Sequence, residues 1–188
     1  AARRPVLLLP PGPIQAQGYE FSRVSARGEY SPRHTILLDN IVLRGVAGYQ
    51  VLTPLKISGD GVYVLVNRGW VAAGPRRDSL PQILTPAGIE TVEGIAVVPS
   101  TRFLELAANT VEGIVWQNLV LERYAKWSRL KLQPIVVQQT NDAADGLVRV
   151  SERPDTGAGR HRGYAFQWYA LAATILILYV ALSVKRAA

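Results

Sequence analysis

Residues 48–71 read GYQVLTPLKISGDGVYVLVNRGWV. Two runs rich in β-branched and aromatic residues flank Ser58-Gly59-Asp60-Gly61, a strong turn signal, so the stretch predicts a β-hairpin. The flanking sequence continues the theme. YEFSRVSARGEY (19–30) alternates, and TILLDNIVLRG (35–45) carries two apolar runs around the turn-like pair Asp39-Asn40. IETVEGIAVV (89–98), PIVVQQ (134–139) and GLVRVSE (146–152) supply further short strands. Helical periodicity occurs once in this region, in NLVLERYAKWSRL (118–130), where Val120, Tyr124 and Trp127 fall at i, i+4 and i+7 and Asn118 stands as the candidate cap. The fold class expected is mainly β: a small antiparallel barrel or sandwich with one amphipathic helix, followed by a C-terminal transmembrane helix.

That last helix is read from GYAFQWYALAATILILYVALSVKRAA (163–188). Tyr164–Val184 carries no charge over 21 residues, and at about 1.5 Å per residue this spans a hydrocarbon core of about 30 Å. Tyr164, Trp168 and Tyr169 gather at one end and Tyr179 near the other, as interfacial aromatics do, and Lys185-Arg186 closes the run. The expected organisation is a Pro-rich lead-in at 1–18, a β-rich domain at 19–152, a linker at 153–163, the span at 164–184 and a tail at 185–188. The lead-in has four prolines in its first thirteen residues and an apolar run too short to cross a bilayer.

Composition narrows the function classes. The chain carries a net charge of +7, but its 21 Lys and Arg are scattered singly or in pairs, with no basic stripe interleaved with aromatics. Nucleic acid is therefore not an expected partner, and basic charge beside a membrane meets anionic lipid or an acidic protein surface instead. There is no cysteine, which excludes disulfides, thiolate metal sites and a cysteine nucleophile. No nucleophile elbow, HExxH pair, P-loop or GxGxxG occurs, and nothing assembles a nucleophile with a base and an orienter, so no enzyme, no catalytic residue and no metal site is expected. His34 lies in SPRHT, where an exposed loop histidine is the simple reading.

Two features stand out chemically. In Asn67-Arg68-Gly69-Trp70 the glycine allows a positive φ or a bulge, and the arginine can pair with a carboxylate or stack on the tryptophan. His161 shares a helical face with Tyr164, Ala165, Trp168 and Ala172. A neutral imidazole there is either an interfacial polar group or an axial ligand to haem iron, whose second wall would come from another helix.

Taken together, these segments resemble the surfeit locus protein family of cytochrome c oxidase assembly factors. Gly48, Tyr49, Val51, Thr53 and Pro54 match the family's G-Y-x-V-x-T-P strand. Val64 to Val71, with Asn67, Arg68, Gly69 and Trp70 at its centre, match V-L-V-N-R-G-[WF]-V, Ala72 replacing the usual following proline. His161, Tyr164, Trp168 and Tyr169 match the motif that enters the last helix.

The resemblance implies a β domain on the extracytoplasmic side of a bacterial cell membrane, held between two membrane helices, the first of them upstream of Ala1. A count of flanking arginines favours the opposite orientation, and the more specific motif order decides for the family's. It also implies assistance in delivering haem a to, or inserting it into, the catalytic subunit of cytochrome c oxidase. His161 would be the haem-binding candidate, with Tyr164, Gln167, Trp168 and Tyr169 as pocket or helix-interface candidates and haem a as a transient cofactor. Partners would be the catalytic subunit, other oxidase or respiratory-complex subunits, and membrane lipid. The alternative is a structural accessory subunit that stays bound to the oxidase without haem.

Overall fold

The computed structural model describes residues 5–59, 61–74, 79–99, 111–150 and 167–175. The chain divides into two compact units, Ala1–Ser151 and Glu152–Ala188.

The first unit is built from β1 (Leu7–Leu8), β2 (Arg23–Tyr30), β3 (Ile36–Leu43), β4 (Val46–Ile57), β5 (Tyr63–Ala72), β6 (Ile89–Val97), β7 (Val111–Glu112), β8 (Val115–Trp116), α1 (Leu121–Ser128) and β9 (Leu132–Gln139). The sheet runs β1-β2-β6-β9-β5-β4-β3-β8-β7, and a further pairing of β2 with β4 (Gly28↔Ile57 to Tyr30↔Leu55) closes five strands, β2-β6-β9-β5-β4, into a barrel. Four of its five seams are antiparallel; β5 and β9 run parallel, with Val66↔Val137 and Asn67↔Gln138 in register. Of the two architectures expected, the barrel is the one formed, and it is not wholly antiparallel: β9 reaches β5 from the far side of α1, so the chain enters both strands from the same end. This is a five-stranded Greek-key barrel, an architecture that by itself assigns no function.

Alternation along the strands fills the barrel. Val24 and Ala26 of β2, Leu55 and Ile57 of β4, Val64 and Val66 of β5, Val92 and Ala96 of β6, and Ile135 and Val137 of β9 form one buried cluster. A second cluster lies under α1, where Ile36, Leu52, Leu65 and Val136 meet Trp116 and Tyr124. The helix begins one turn later than its periodicity suggests. Val120 sits at the N-cap without a side-chain cap, so Asn118 does not serve as one, and Tyr124 and Ser128 are the residues the helix buries. Trp127 stays half-exposed, its edge against Trp116 at 5.7 Å between centroids. Tyr124 is fully buried, and its hydroxyl donates to the His34 carbonyl at 2.5 Å.

Two expectations about turns also shift. Asp39-Asn40 is no turn but a bulge inside one continuous strand: the β3–β4 register slips between Leu38 and Ile41, and Asn40 takes a φ of 62°. The hairpin reverses instead at Arg44-Gly45, where both residues have positive φ. GLVRVSE contributes only an isolated bridge, Val148 to Trp70, among the described residues.

The lead-in is extended and attached. Leu7-Leu8 runs parallel to β2, Leu9 is buried, and the Gln133 side chain, itself buried beside Pro134, accepts from the Ile14 N–H at 3.1 Å and donates to the Gly12 carbonyl at 2.7 Å. Gln133→Ala should therefore cost about 1–3 kcal/mol in chemical denaturation and expose Val6–Leu9 to thermolysin in the folded protein.

The second unit is described only over 167–175, which is helical with every residue exposed. Among the described residues no helix is long and apolar enough to cross a membrane. The rest of the expected span, 164–166 and 176–184, lies outside the described residues, as does the tail at 185–188.

Candidate functional site: a buried guanidinium knot

The stretch 48–71 folds onto itself as a hairpin. Gly48, Tyr49, Thr53 and Pro54 lie on β4 directly across from the residues of β5, with Tyr49↔Val71, Gln50↔Trp70, Val51↔Gly69 and Thr53↔Val66 as partners. The β2–β4 pairing stops at Leu55, one residue short of Pro54, which has no N–H to offer. Thr53 is buried, its hydroxyl 3.0 Å from that of Thr35.

The β4–β5 register slips between Val51↔Gly69 and Leu52↔Asn67, which leaves Arg68 as the extra residue of a β-bulge. Gly69 sits at φ 140°, and a Cβ there would lie 2.5 Å from the Val148 carbonyl oxygen. The Asn67 side-chain oxygen accepts from the Gly69 N–H at 3.2 Å and holds the kink. Arg68 continues the inward alternation of Val64 and Val66, and the bulge re-aims the residues that follow it.

The guanidinium is wholly buried, with side-chain exposure of 0% against 1% for its partner Asp145 at 2.9 Å. Its Nη1 donates to the Thr85 hydroxyl at 3.0 Å and its Nη2 also to the Leu84 carbonyl. Its plane lies over the Tyr30 ring, 5.0 Å from Cζ to centroid. Asp145 is shared: its other oxygen accepts from Arg149 Nη2 at 3.0 Å. Arg149 in turn donates to the Arg68 carbonyl and, through Nε, to the Asn141 carbonyl at 3.0 Å. One guanidinium thus ties together β5, the strand-less segment at 84–85, the return segment 141–149 and Tyr30. Arg68 pairs with a carboxylate as one of its two expected partners, but the ring it stacks on is Tyr30, not Trp70.

Trp70 serves a different contact. Its indole N–H donates to the Ile41 carbonyl at 3.1 Å, and its ring lies where a Cβ on Gly48 would come within 2.5 Å. On the return segment, the Val148 and Trp70 backbones exchange both hydrogen bonds at 2.8 Å. Gly48 and Gly69 are thus two places where another part of the chain occupies the room a side chain would need.

Burial pushes the Tyr30 hydroxyl up to about 12, against the opposing pull of Arg68 and Arg149. That hydroxyl donates to Gln139 Oε1 at 3.1 Å. Burial also raises Tyr124 well above the usual tyrosine range. His34 is half-buried, not a free loop residue: its Nδ1 lies 2.9 Å from the Ser31 hydroxyl and its ring meets the edge of Trp127 at 6.2 Å.

Asp145, Arg149, Tyr30 and Gln139 were not singled out by sequence. Asp145 and Arg149 do stand at the i, i+4 spacing of a local ion pair, the one signal that pointed to them. Of the candidates near the C-terminus, His161 and Tyr164 lie outside the described residues. Gln167, Trp168 and Tyr169 open the helical segment, with Trp168 71% and Tyr169 77% exposed. Among the described residues no group of three or more His, Asp or Glu side chains is placed to hold a metal ion. What the knot can do chemically is limited, since its charged atoms face each other and not solvent.

Comparison with known proteins adds the decisive observation: the model of the SURF1 family matches residues 1–173. The chain belongs to the SURF1 family. A SURF1-like protein of Dictyostelium discoideum is 25% identical over 197 residues, covering 86% of this chain and 72% of its own length. Surfeit locus protein 1 of Takifugu rubripes is 25% identical over 202 residues, covering 95% and 80%. A SURF1-like protein of Rickettsia bellii is 27% identical over 136 residues, covering 70% and 55%. The resemblance read from the two motifs is thereby established at the level of family.

Two outcomes test the knot. Asp145→Asn should lose about 3–5 kcal/mol in chemical denaturation, because it leaves two guanidiniums facing an uncharged amide, whereas the pair Arg68→Met with Asp145→Leu should lose less than the sum of the single changes. The second concerns alkali. Tyr30 is held protonated in the fold, so its contribution is fully present below pH 10 and is lost as pH rises toward 12. Unfolding curves of Tyr30→Phe should accordingly fall less steeply with pH than wild type between pH 10 and 12.

Proposed function

We propose that this chain is a membrane-anchored assembly factor for cytochrome c oxidase that assists the delivery of haem a to, or its insertion into, the catalytic subunit. The observation that carries the reading is the family match over residues 1–173, which contains both motifs, Gly48–Val71 and His161–Tyr169, in their expected order. The family is one of oxidase assembly, and the handover of haem a is the finer role proposed here.

The geometry supports a role without bond chemistry of its own. The side chains of the first motif are spent on structure: Arg68 on Asp145, Trp70 on Ile41, Thr53 on Thr35. In the second unit, a helical segment of sequence QWYALAATI exposes apolar residues on every side, an arrangement stable in lipid or against apolar protein and unfavourable in water. The span at 164–184 would anchor the chain in the cell membrane with the barrel on the extracytoplasmic side. His161, at the membrane boundary, would present its imidazole to the haem iron, with Tyr164, Gln167, Trp168 and Tyr169 alongside and the oxidase subunits and lipid as surroundings.

The test is to purify the full protein from membranes of cells that make haem a and record visible spectra for wild type and His161→Ala. Wild type should carry haem a in less than stoichiometric amount and the variant should lose it, while a strain lacking the protein should accumulate oxidase with reduced haem a content. Haem-free protein that co-purifies one to one with mature oxidase would establish the accessory-subunit alternative instead.

A further inference from the structure

The β3–β4 hairpin continues past the barrel wall to a tip that the fold does not use. Leu43 pairs with Val46 and Val42 with Ala47 around the two-residue turn Arg44-Gly45. Cross-strand partners point to the same side of a sheet, so Leu43 and Val46 share one face of the tip and Val42 and Ala47 the other. Both faces are apolar. Val42 is 64% and Val46 51% exposed, and Arg44 and Ala47 are exposed as well. A hairpin serving one hydrophobic core alternates apolar-in with polar-out; this one has no polar face. A protein groove would cover one side of it, whereas a lipid surface surrounds both.

The charge pattern agrees. Within residues 40–47 the only charge is Arg44 at the apex, and the nearest acidic residue in sequence, Asp39, lies back at the bulge. Arg44 also holds a left-handed φ of 51°, a position that asparagine and glycine fill more readily. A guanidinium there offers a planar fork to phosphate oxygens.

The tip is held firmly at its base. Trp70 braces it at Ile41, Gly48 makes room for the indole, and the bulge at Asp39-Asn40 sets its direction. The return segment pairs with the same Trp70 at Val148, so the chain leaves the barrel beside the hairpin's base. Residues 151–166 then lead to the apolar helical segment at 167–175.

We infer that the hairpin tip, residues 42–47, inserts into the headgroup region of an anionic lipid bilayer, with Val42, Leu43 and Val46 reaching the acyl boundary and Arg44 bound to lipid phosphate. The inference rests on the membrane-anchored reading above and adds to it a second contact, made by the barrel itself.

The chain has no cysteine, so single-cysteine variants report one site each. Full-length Val46→Cys, and Lys126→Cys on α1 as the control, are labelled with an environment-sensitive fluorophore. They are then reconstituted in phosphatidylcholine–phosphatidylglycerol vesicles containing lipids brominated near the headgroup. The label at residue 46 should be blue-shifted and quenched several-fold more than that at 126. Adding Arg44→Glu should return it to the control value. Equal emission and quenching at both sites overturns the inference. So does a blue-shifted but unquenched label at 46, which would mean a protein surface, a second copy included, covers the tip. Chains that fail to float with the vesicles overturn the membrane anchor and the tip contact together, whereas floating chains with an unquenched tip overturn the tip contact alone.

Discussion

A guanidinium with no exposure to solvent is the constraint around which this domain is arranged. Taking an arginine out of water costs several kcal/mol, and its attraction to one carboxylate offsets that only if its remaining N–H groups find acceptors. Both Nη groups of Arg68 find acceptors in parts of the chain that form no strand, the Leu84 carbonyl, the Thr85 hydroxyl and Asp145, whereas its buried Nε has none. The segments at 84–85 and 141–149 form no strand of the barrel, and the arginine adds to the Val148–Trp70 pairing and the Asn141 bonds to β6 in holding them in place. Alternation from Val64 and Val66 already turns position 68 to the interior face that holds Tyr30. Without the extra residue of the bulge, the same alternation would turn Trp70 to that face as well and away from Ile41.

The same bulge explains why Asn67, Gly69 and Trp70 belong together. Asn67 holds the kink, Gly69 lets Val148 approach, and Trp70 then carries hydrogen bonds on both sides, to Val148 through its backbone and to Ile41 through its indole. A stretch that looks like a site because of its unusual residues is a joint. It links the end of the barrel to the base of the β3–β4 hairpin and to the point where the chain departs.

How much of this was legible in the sequence follows from how local each interaction is. The bulge is local: Asn-Arg-Gly after five β-forming residues announces it. The strands show through alternation, and so does the turn at 58–61. Arg68's partner is not local, since Asp145 lies 77 residues away, and no pattern within one segment names it. The parallel seam between β5 and β9 is hidden for the same reason, because strand sense depends on where the chain travels between the two. Asp39-Asn40 misleads in an instructive way: a side chain that favours turns also favours a bulge, and Asn40 takes up the left-handed backbone while its strand continues. Arg44, with no turn propensity to declare itself, reverses the chain next to Gly45. The candidate haem residues were legible only through resemblance, as His161 lacks a partner within its own segment that would set it apart from an interfacial histidine.

The charges of the Arg68 knot are consumed internally, while apolar side chains stay exposed elsewhere, among them Val42 and Val46 at the hairpin tip in the first unit and Trp168 and Tyr169 of the helical segment in the second. Exposed apolar surface is unfavourable in water at about 25 cal/mol per Å², so each is a standing cost unless its working environment is lipid or an apolar partner. A rigid joint at Trp70 then has a mechanical consequence. Val148 leads the chain toward the helical segment and Ile41 leads to the hairpin, so both apolar surfaces are attached, directly or through residues 151–166, to one fixed point. A soft joint would let the hairpin wander independently of the chain's point of departure; a joint locked by a buried arginine fixes the two relative to each other.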